Sequence, residues 1–259
     1  LALALSRVLG LSFGRIQCTS DLLPTDITGV SVYNKNTGDF IFHPGPIFNN
    51  IVLVDEINRA TPKTQSALLE AMGEKQTTIE GKTYRHPQPF FVIATQNPVE
   101  HFGAFPLPES QMDRFMMQIS IGYPSRDEEM AILKQGSTRQ DLEGMETIMQ
   151  HEEVLGIHEH IKNGVYVSEK IYDYLLKIAA VTRRHPYVRA GISTRGSLAI
   201  ATAAKTLAFF SGRDYVIPED IRELAPYTIT HRILLKEDYE QIAKQEFVKS
   251  LLNEVAVPA

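Results

Sequence analysis

Residues 50–72 read NIVLVDEINRATPKTQSALLEAM, and three signals follow one another in them. Ile51–Val54 is a continuous apolar, mostly β-branched run, the pattern of a strand covered on both faces. Asp55 and Glu56 end it with two carboxylates. TPKTQSALLEAMGE (61–74) then reads as a helix, with Thr61 at the cap and Pro62 at the first helical position. Strand, polar end and helix form one unit of a parallel α/β sheet, and in such sheets ligands sit beyond the carboxyl ends of the strands.

The surrounding sequence extends this reading. PFFVIATQN (89–97) is a second apolar strand with a polar end, and GRIQCT (14–19) has strand character. A third apolar run, FMMQISIGY (115–123), follows PESQMDR. VSVYNKNTGDFIFHPG (30–45) and QTTIEGKTYRHP (76–87) read as hairpins, turning at Asn-Thr-Gly and Glu-Gly-Lys. They fit either ordinary surface hairpins or partner-facing ones. LALALSRVLG (1–10) reads as a helix with Leu1, Leu5 and Val8–Leu9 on one face, stopped by Gly10 and lacking a side-chain cap.

After Pro124 the pattern becomes helical. SRDEEMAILKQ (125–135) opens with Ser125 and Glu128 in capping-box spacing. SEKIYDYLLKIAAVTRR (168–184), STRGSLAIATAAKTLAFFSG (193–212), PEDIRELAPYTITHRI (218–233) and KEDYEQIAKQEFVKSLLNEV (236–255) follow as helices. GSTRQDLEGMETIM (136–149) is left undecided. The expectation is an α/β domain over 1–124 and an all-helical domain over 125–259.

Composition narrows the function classes. The 259 residues are 43% hydrophobic and 22% charged, an ordinary globular balance. Net charge is −5, which argues against a dedicated nucleic-acid binder. The single cysteine, Cys18, allows no internal disulfide, so the reading is a reducing cytoplasm with Cys18 as a small core residue. No apolar stretch reaches the roughly 18 residues of a membrane-spanning helix.

The candidate chemistry lies at strand ends and helix starts. Asp55 and Glu56 are sequence neighbours and face opposite sides of a strand, which suits separate roles: one carboxylate holds Mg²⁺ through its waters and the other polarises an attacking water. The pair also fits the start of a solvated loop. Asn97 can orient a water or contact a phosphate, or simply form a turn before Pro98. Arg114 can neutralise charge on a transferring phosphoryl group, including across a subunit boundary, or form a surface ion pair. Arg195 in GISTRGS (191–197) lies in the first turn of a helix capped by Ser193 or Thr194, where dipole and guanidinium together favour an anion. Arg183, Arg184 and Arg189 fit a solvated face. HEEVLGIHEH (151–160) groups His151, His158 and His160 without the spacing of a zinc helix, and reads as a charged solvated helix.

Taken together, Asp55-Glu56, Asn97, Arg114 and Arg195 resemble the motif order of an AAA+ ATPase. They match Walker B, sensor 1, arginine finger and sensor 2 in turn. DLLPTDITG (21–29), HPGPIFNNIVLVDEINRATPKTQSALLEAM (43–72), PLPESQMDRF (106–115), GYPSRDEE (122–129) and GRDYVIPEDI (212–221) narrow the resemblance to the MoxR family, over essentially the whole chain.

The resemblance implies an ATP- and Mg²⁺-dependent, chaperone-like ring, often hexameric, that remodels protein clients. Proteins with von Willebrand factor A domains are its expected partners. It assigns Asp55 to Mg²⁺, Glu56 and Asn97 to hydrolysis, Arg114 to a neighbour's nucleotide, and Arg195 to the ATP phosphates of its own subunit. It also implies that the two hairpins face the ring pore or the client. The phosphate-binding loop G-x-x-x-x-G-K-[ST] does not occur in the 259 residues. The resemblance places that loop, and the strand feeding it, just upstream of Leu1. Two other functions are compatible with the residues: a non-catalytic scaffold of AAA+ shape, and a nucleic-acid-remodelling ring. The mixed charge of the hairpins, Lys35 with Asp39 and Lys82 and Arg85 with Glu80, argues against the latter.

Overall fold

The computed structural model describes residues 1–97, 104–136, 142 and 144–258. The undecided stretch at 136–149 therefore lies partly outside the described residues, as does Pro98. Contacts divide the chain into two compact units, Leu1–Leu107 with Gly122–Leu155, and Pro108–Ile121 with Gly156–Ala259. Packing interleaves the two along the sequence, whereas a cut at 124 follows chain order alone.

The first unit begins with helix α1 (Ala2–Val8), strand β1 (Phe13–Gln17) and helix α2 (Pro24–Thr28). The hairpin β2 (Gly29–Asn34) and β3 (Asp39–Pro44) comes next, followed by β4 (Ile51–Asp55) and helix α3 (Pro62–Glu74). A second hairpin, β5 (Gln76–Ile79) and β6 (Lys82–Arg85), precedes β7 (Phe91–Ala94). β4 is the centre of a parallel sheet in the order β1-β4-β7. Its apolar run has the expected consequence: Ile51, Val52 and Val54 are all buried.

Asn50 holds the start of the sheet together. Its Oδ1 accepts from the Ser12 hydroxyl, its Nδ2 donates to the Pro89 carbonyl, and its own carbonyl accepts from Phe91 N–H at 2.7 Å. α3 starts as its sequence predicts, with Thr61 Oγ1 accepting from Thr64 N–H, and it buries Leu68, Leu69 and Ala71. Both hairpins form. The second turns through Glu80 and Gly81, each with positive φ, as a two-residue turn requires. Phe42 of the first hairpin packs on Tyr84 of the second, with ring centroids 4.2 Å apart.

α1 differs from its expected face. Ala2 and Ser6 are its buried positions, not Leu1 and Leu5. Small side chains allow the closer approach of the helix backbone to its neighbours.

The second unit contains α4 (Glu109–Met112), while α5 (Arg126–Gln135) belongs with the first. α5 carries the capping box read from sequence: Ser125 N–H donates to Glu128 Oε2 at 2.8 Å, and Glu128 N–H to the Ser125 hydroxyl. α6 (His151–Gly164), α7 (Glu169–Arg184), β8 (Val188–Ala190), α8 (Thr194–Phe210), α9 (Pro218–Ile229), β9 (Leu234–Leu235) and α10 (Lys244–Asn253) follow. Tyr174 and Ile178 of α7, Ile200 and Ala204 of α8, Ile221 and Ile229 of α9, and Phe247 and Leu251 of α10 build one apolar core. At the start of α9, Asp220 accepts from Ile217 N–H and takes both Nη atoms of Arg213. No helix among the described residues is long and apolar enough to cross a membrane.

Three further readings need correction. FMMQISIGY is not a strand: its start is fastened to the helical unit, with Gln118 N–H donating to the Tyr227 carbonyl at 2.8 Å, and Ile119 and Ile121 are exposed. The helical unit is not purely helical, because β8 and β9 pair antiparallel. The last helix starts at Lys244 rather than 236; Glu237–Tyr239 forms a 3₁₀ turn. There Lys236 N–H donates to the Tyr187 carbonyl and Tyr239 stacks on Tyr187 at 4.0 Å, which holds the chain out of the helix.

Candidate functional site

Parallel pairing brings the ends of β1, β4 and β7 side by side. Asp55 ends β4 opposite Gln17 of β1. Glu56 leaves the strand with φ 56° and ψ 49°, in the left-handed region that non-glycine residues rarely occupy. This turn separates the two carboxylates. Asp55 Oδ2 pairs with Arg15 Nε at 2.8 Å. Glu56 Oε2 accepts from Gln17 Nε2 and from Arg59 Nη1, both at 3.0 Å. Thr95, just past β7, ties both together: its hydroxyl oxygen accepts from Glu56 N–H at 2.9 Å and lies 3.4 Å from Asp55 Oδ1, to which it donates. The Thr95 carbonyl accepts from Ile57 N–H.

The negative field of this end is felt nearby. Burial first, then Asp55 and Glu56, push the Cys18 thiol up to about 11. Cys18 is buried and free, as a core residue would be. Asn97 is half-buried two residues beyond Thr95.

The two candidate arginines lie in the other unit. Both are exposed. Arg114 follows α4, the short polar helix read from the sequence. Arg195 lies in the first turn of α8, whose cap is Ser193, its hydroxyl accepting from Gly196 N–H at 3.1 Å.

Asp113, next to Arg114, joins the two positions. Its Oδ2 accepts from the Ser193 hydroxyl at 2.8 Å and its Oδ1 from Arg232 Nε at 2.9 Å. Arg232 is fully desolvated, with 2% of its side chain exposed, and donates to the carbonyls of Met116, Phe115 and Thr228. Burial, opposed by Asp113, lowers its pKa. His231 Nε2 lies 3.0 Å from the Phe115 carbonyl; burial, then Arg232, bring its pKa down to about 4. Arg189 pairs with Glu109 at 2.5 Å, and Arg183 Nε donates to the Ile192 carbonyl, so two of the arginines read as a solvated face hold the loop before α8 and the start of α4.

The structure thus joins Asp55 and Glu56 in one network and, through Asp113, ties the segment that carries Arg114 to the cap of the helix that carries Arg195. Thr95, Gln17, Arg15, Arg59, Asp113 and Arg232 were not singled out from the sequence. Thr95 and Asp113 stood inside the quoted motifs; Gln17 and Arg15 become visible only through strand register.

A parallel α/β sheet followed in the chain by a helical unit is the architecture of an AAA ATPase. The family model described as ATPase family associated with various cellular activities (AAA) matches residues 1–117, and the AAA lid domain model matches 180–254. Chaperone MoxR1 of Mycobacterium tuberculosis is 41% identical over 98% of the chain and 69% of that protein. The uncharacterised protein YeaC of Bacillus subtilis is 46% identical over 98% of the chain and 80% of its own length. A crystal structure of a Cytophaga hutchinsonii protein superposes with TM-score 0.90 at 40% identity, covering 99% of this chain and 81% of that one. The chain belongs to the MoxR family of AAA ATPases.

Proposed function

We propose that the intact protein hydrolyses ATP with Mg²⁺ and uses the resulting motions to remodel protein clients as a chaperone. The observation that carries the reading is the network at the strand ends, where Thr95 ties Asp55 to the Glu56 backbone and the two carboxylates take separate partners. The residues present fit the cation. Asp55 offers hard carboxylate oxygens, the ligand type that Mg²⁺ prefers, and its ion pair with Arg15 is in keeping with a position that holds a positive charge. When bound there through waters, Mg²⁺ neutralises phosphate charge.

Glu56 accepts a proton from, or orients, the attacking water, and Asn97 helps hold that water. Arg114 acts on the nucleotide of a neighbouring subunit in a homo-oligomeric ring of six. Because Asp113 links the Arg114 segment to the cap of the Arg195 helix, one subunit presents both arginines together. We therefore assign Arg195 to that same neighbour's nucleotide rather than to its own. In chain order the ATPase core is taken as 1–124 and the lid as 125–259, with 108–121 packing in the helical unit and α5 in the sheet unit. The relative named a chaperone supports a protein client. Partners with von Willebrand factor A domains and a cytoplasmic location complete the reading.

Glu56→Gln in the intact protein should keep ATP binding and abolish turnover; hydrolysis at the wild-type rate would remove Glu56 from the mechanism. Mixed rings test the arginines. Arg114→Ala or Arg195→Ala subunits should regain activity when mixed with Glu56→Gln subunits. An Arg195→Ala subunit that stays inactive at every ratio would return Arg195 to its own subunit's site.

A further inference from the structure

Residues 109–118 are fastened to the lid helices at successive points. Glu109 pairs with Arg189, Asp113 with Arg232 and Ser193, Phe115 and Met116 with Arg232, and Gln118 with the Tyr227 carbonyl. The side chain of Asp113 reaches two lid elements at once. One oxygen takes the hydroxyl that caps α8, two residues before Arg195. The other takes the buried guanidinium of Arg232, just past α9. The Ser193 hydroxyl donates to Asp113 while accepting from Gly196 N–H.

Gly196 is part of the same arrangement. A Cβ there would stand 2.9 Å from Arg232 Cδ, so the missing side chain leaves the path by which Arg232 reaches Asp113. A buried guanidinium needs a carboxylate partner, because an unpaired buried charge costs several times what a surface ion pair contributes. The Asp113–Arg232 pair therefore has one strongly preferred geometry, and the backbone of the next residue, Arg114, inherits it.

We propose that Asp113 is a positioning residue that holds Arg114 and the Arg195-bearing end of α8 in fixed mutual register, so that a subunit presents both guanidinium groups to one nucleotide as a single rigid element. This rests on the reading of Arg114 and Arg195 as both acting on a neighbour's nucleotide. Asp113 touches no reacting atom; it acts through the two arginines. Displacing a catalytic group by about 1 Å costs on the order of 100-fold in rate.

The test uses the intact protein with three variants, each measured for nucleotide affinity, kcat and thermal midpoint, alone and in rings mixed with Glu56→Gln subunits. Asp113→Asn should lower kcat about 100-fold while nucleotide affinity stays within about threefold, as expected when only transition-state contacts are lost. Its activity should return in mixed rings, because the Asp113→Asn subunit keeps its own hydrolytic carboxylate and borrows intact arginines from its neighbour. The double variant Asp113→Asn/Arg232→Met removes the unpaired buried charge and should regain the thermal midpoint without regaining kcat. Arg114→Ala is the reference.

If Arg114→Ala is rescued in mixed rings and Asp113→Asn is not, or if the double variant turns over at the wild-type rate, the positioning role is overturned and the shared site stands. If Arg114→Ala is not rescued either, the shared site itself is wrong and the positioning role falls with it.

Discussion

Glu56 combines a catalytic assignment with a backbone conformation that disfavours it, and the two can be separated by substitution. At φ 56° and ψ 49° a residue with a Cβ is about 1–2 kcal/mol less stable than glycine. Glycine returns part of that, about 0.4–1 kcal/mol, through the greater freedom of the unfolded chain. The side-chain bonds to Gln17 and Arg59 are equally absent from Glu56→Gly and Glu56→Ala, so they cancel in the comparison. Glu56→Gly should therefore be more stable than Glu56→Ala by about 0.5–1 kcal/mol, the reverse of the order in a helix. For a chain of this size that is a difference of roughly 1–4 °C in midpoint. Urea and thermal unfolding of the two variants side by side measure it, with ATP binding and hydrolysis measured in parallel. Both should bind and neither should hydrolyse. An alanine variant as stable as the glycine variant would show that the position carries no strain, and the argument for a backbone strained to aim a catalytic carboxylate would fail with it.

Thr95→Val keeps the shape but leaves Glu56 N–H unpaired; it should cost about 1–2 kcal/mol in urea unfolding and lower kcat more than it changes KM. His231 holds its neutral form, its pKa brought down to about 4 by burial and Arg232, while the unfolded chain takes up a proton near pH 6.5. The unfolded state thus binds more protons between these values, so this contribution is complete above pH 6.5 and is lost as pH falls toward 4, by roughly 3 kcal/mol in all. His231→Gln keeps a donor for the Phe115 carbonyl and should flatten that part of the stability profile; an unchanged slope would exclude His231 as its source. Cys18, with its thiol pushed up to about 11, should resist thiol reagents at pH 8 in the native protein and react after unfolding, and rapid native labelling would contradict its burial.

What could be read in the sequence, and what could not, follows the range of the forces involved. The sheet centre, α3 and the caps at Thr61, Ser125, Ser168 and Ser193 were legible because each depends on residues a few positions apart: an apolar run, a hydroxyl three residues before its N–H, a proline at the first turn. The candidate residues Asp55, Glu56, Asn97, Arg114 and Arg195 were legible for the same reason, as polar groups at the ends of apolar elements.

The partners of those residues were not legible. Gln17 reaches Glu56 only because β1 lies beside β4 in a register that sets Gln17 against Asp55, and no local pattern encodes that register. FMMQISIGY has strand composition, yet the helical unit takes up the polar backbone groups at its start: buried Arg232, more than a hundred residues away in sequence, is satisfied by the Phe115 and Met116 carbonyls. Local sequence determined which groups stand at the ends of the strands and at the starts of the helices. Tertiary structure decided that Thr95 joins the two carboxylates and that Asp113 joins the two arginine positions, because satisfying buried donors and charges is settled only when distant segments pack together.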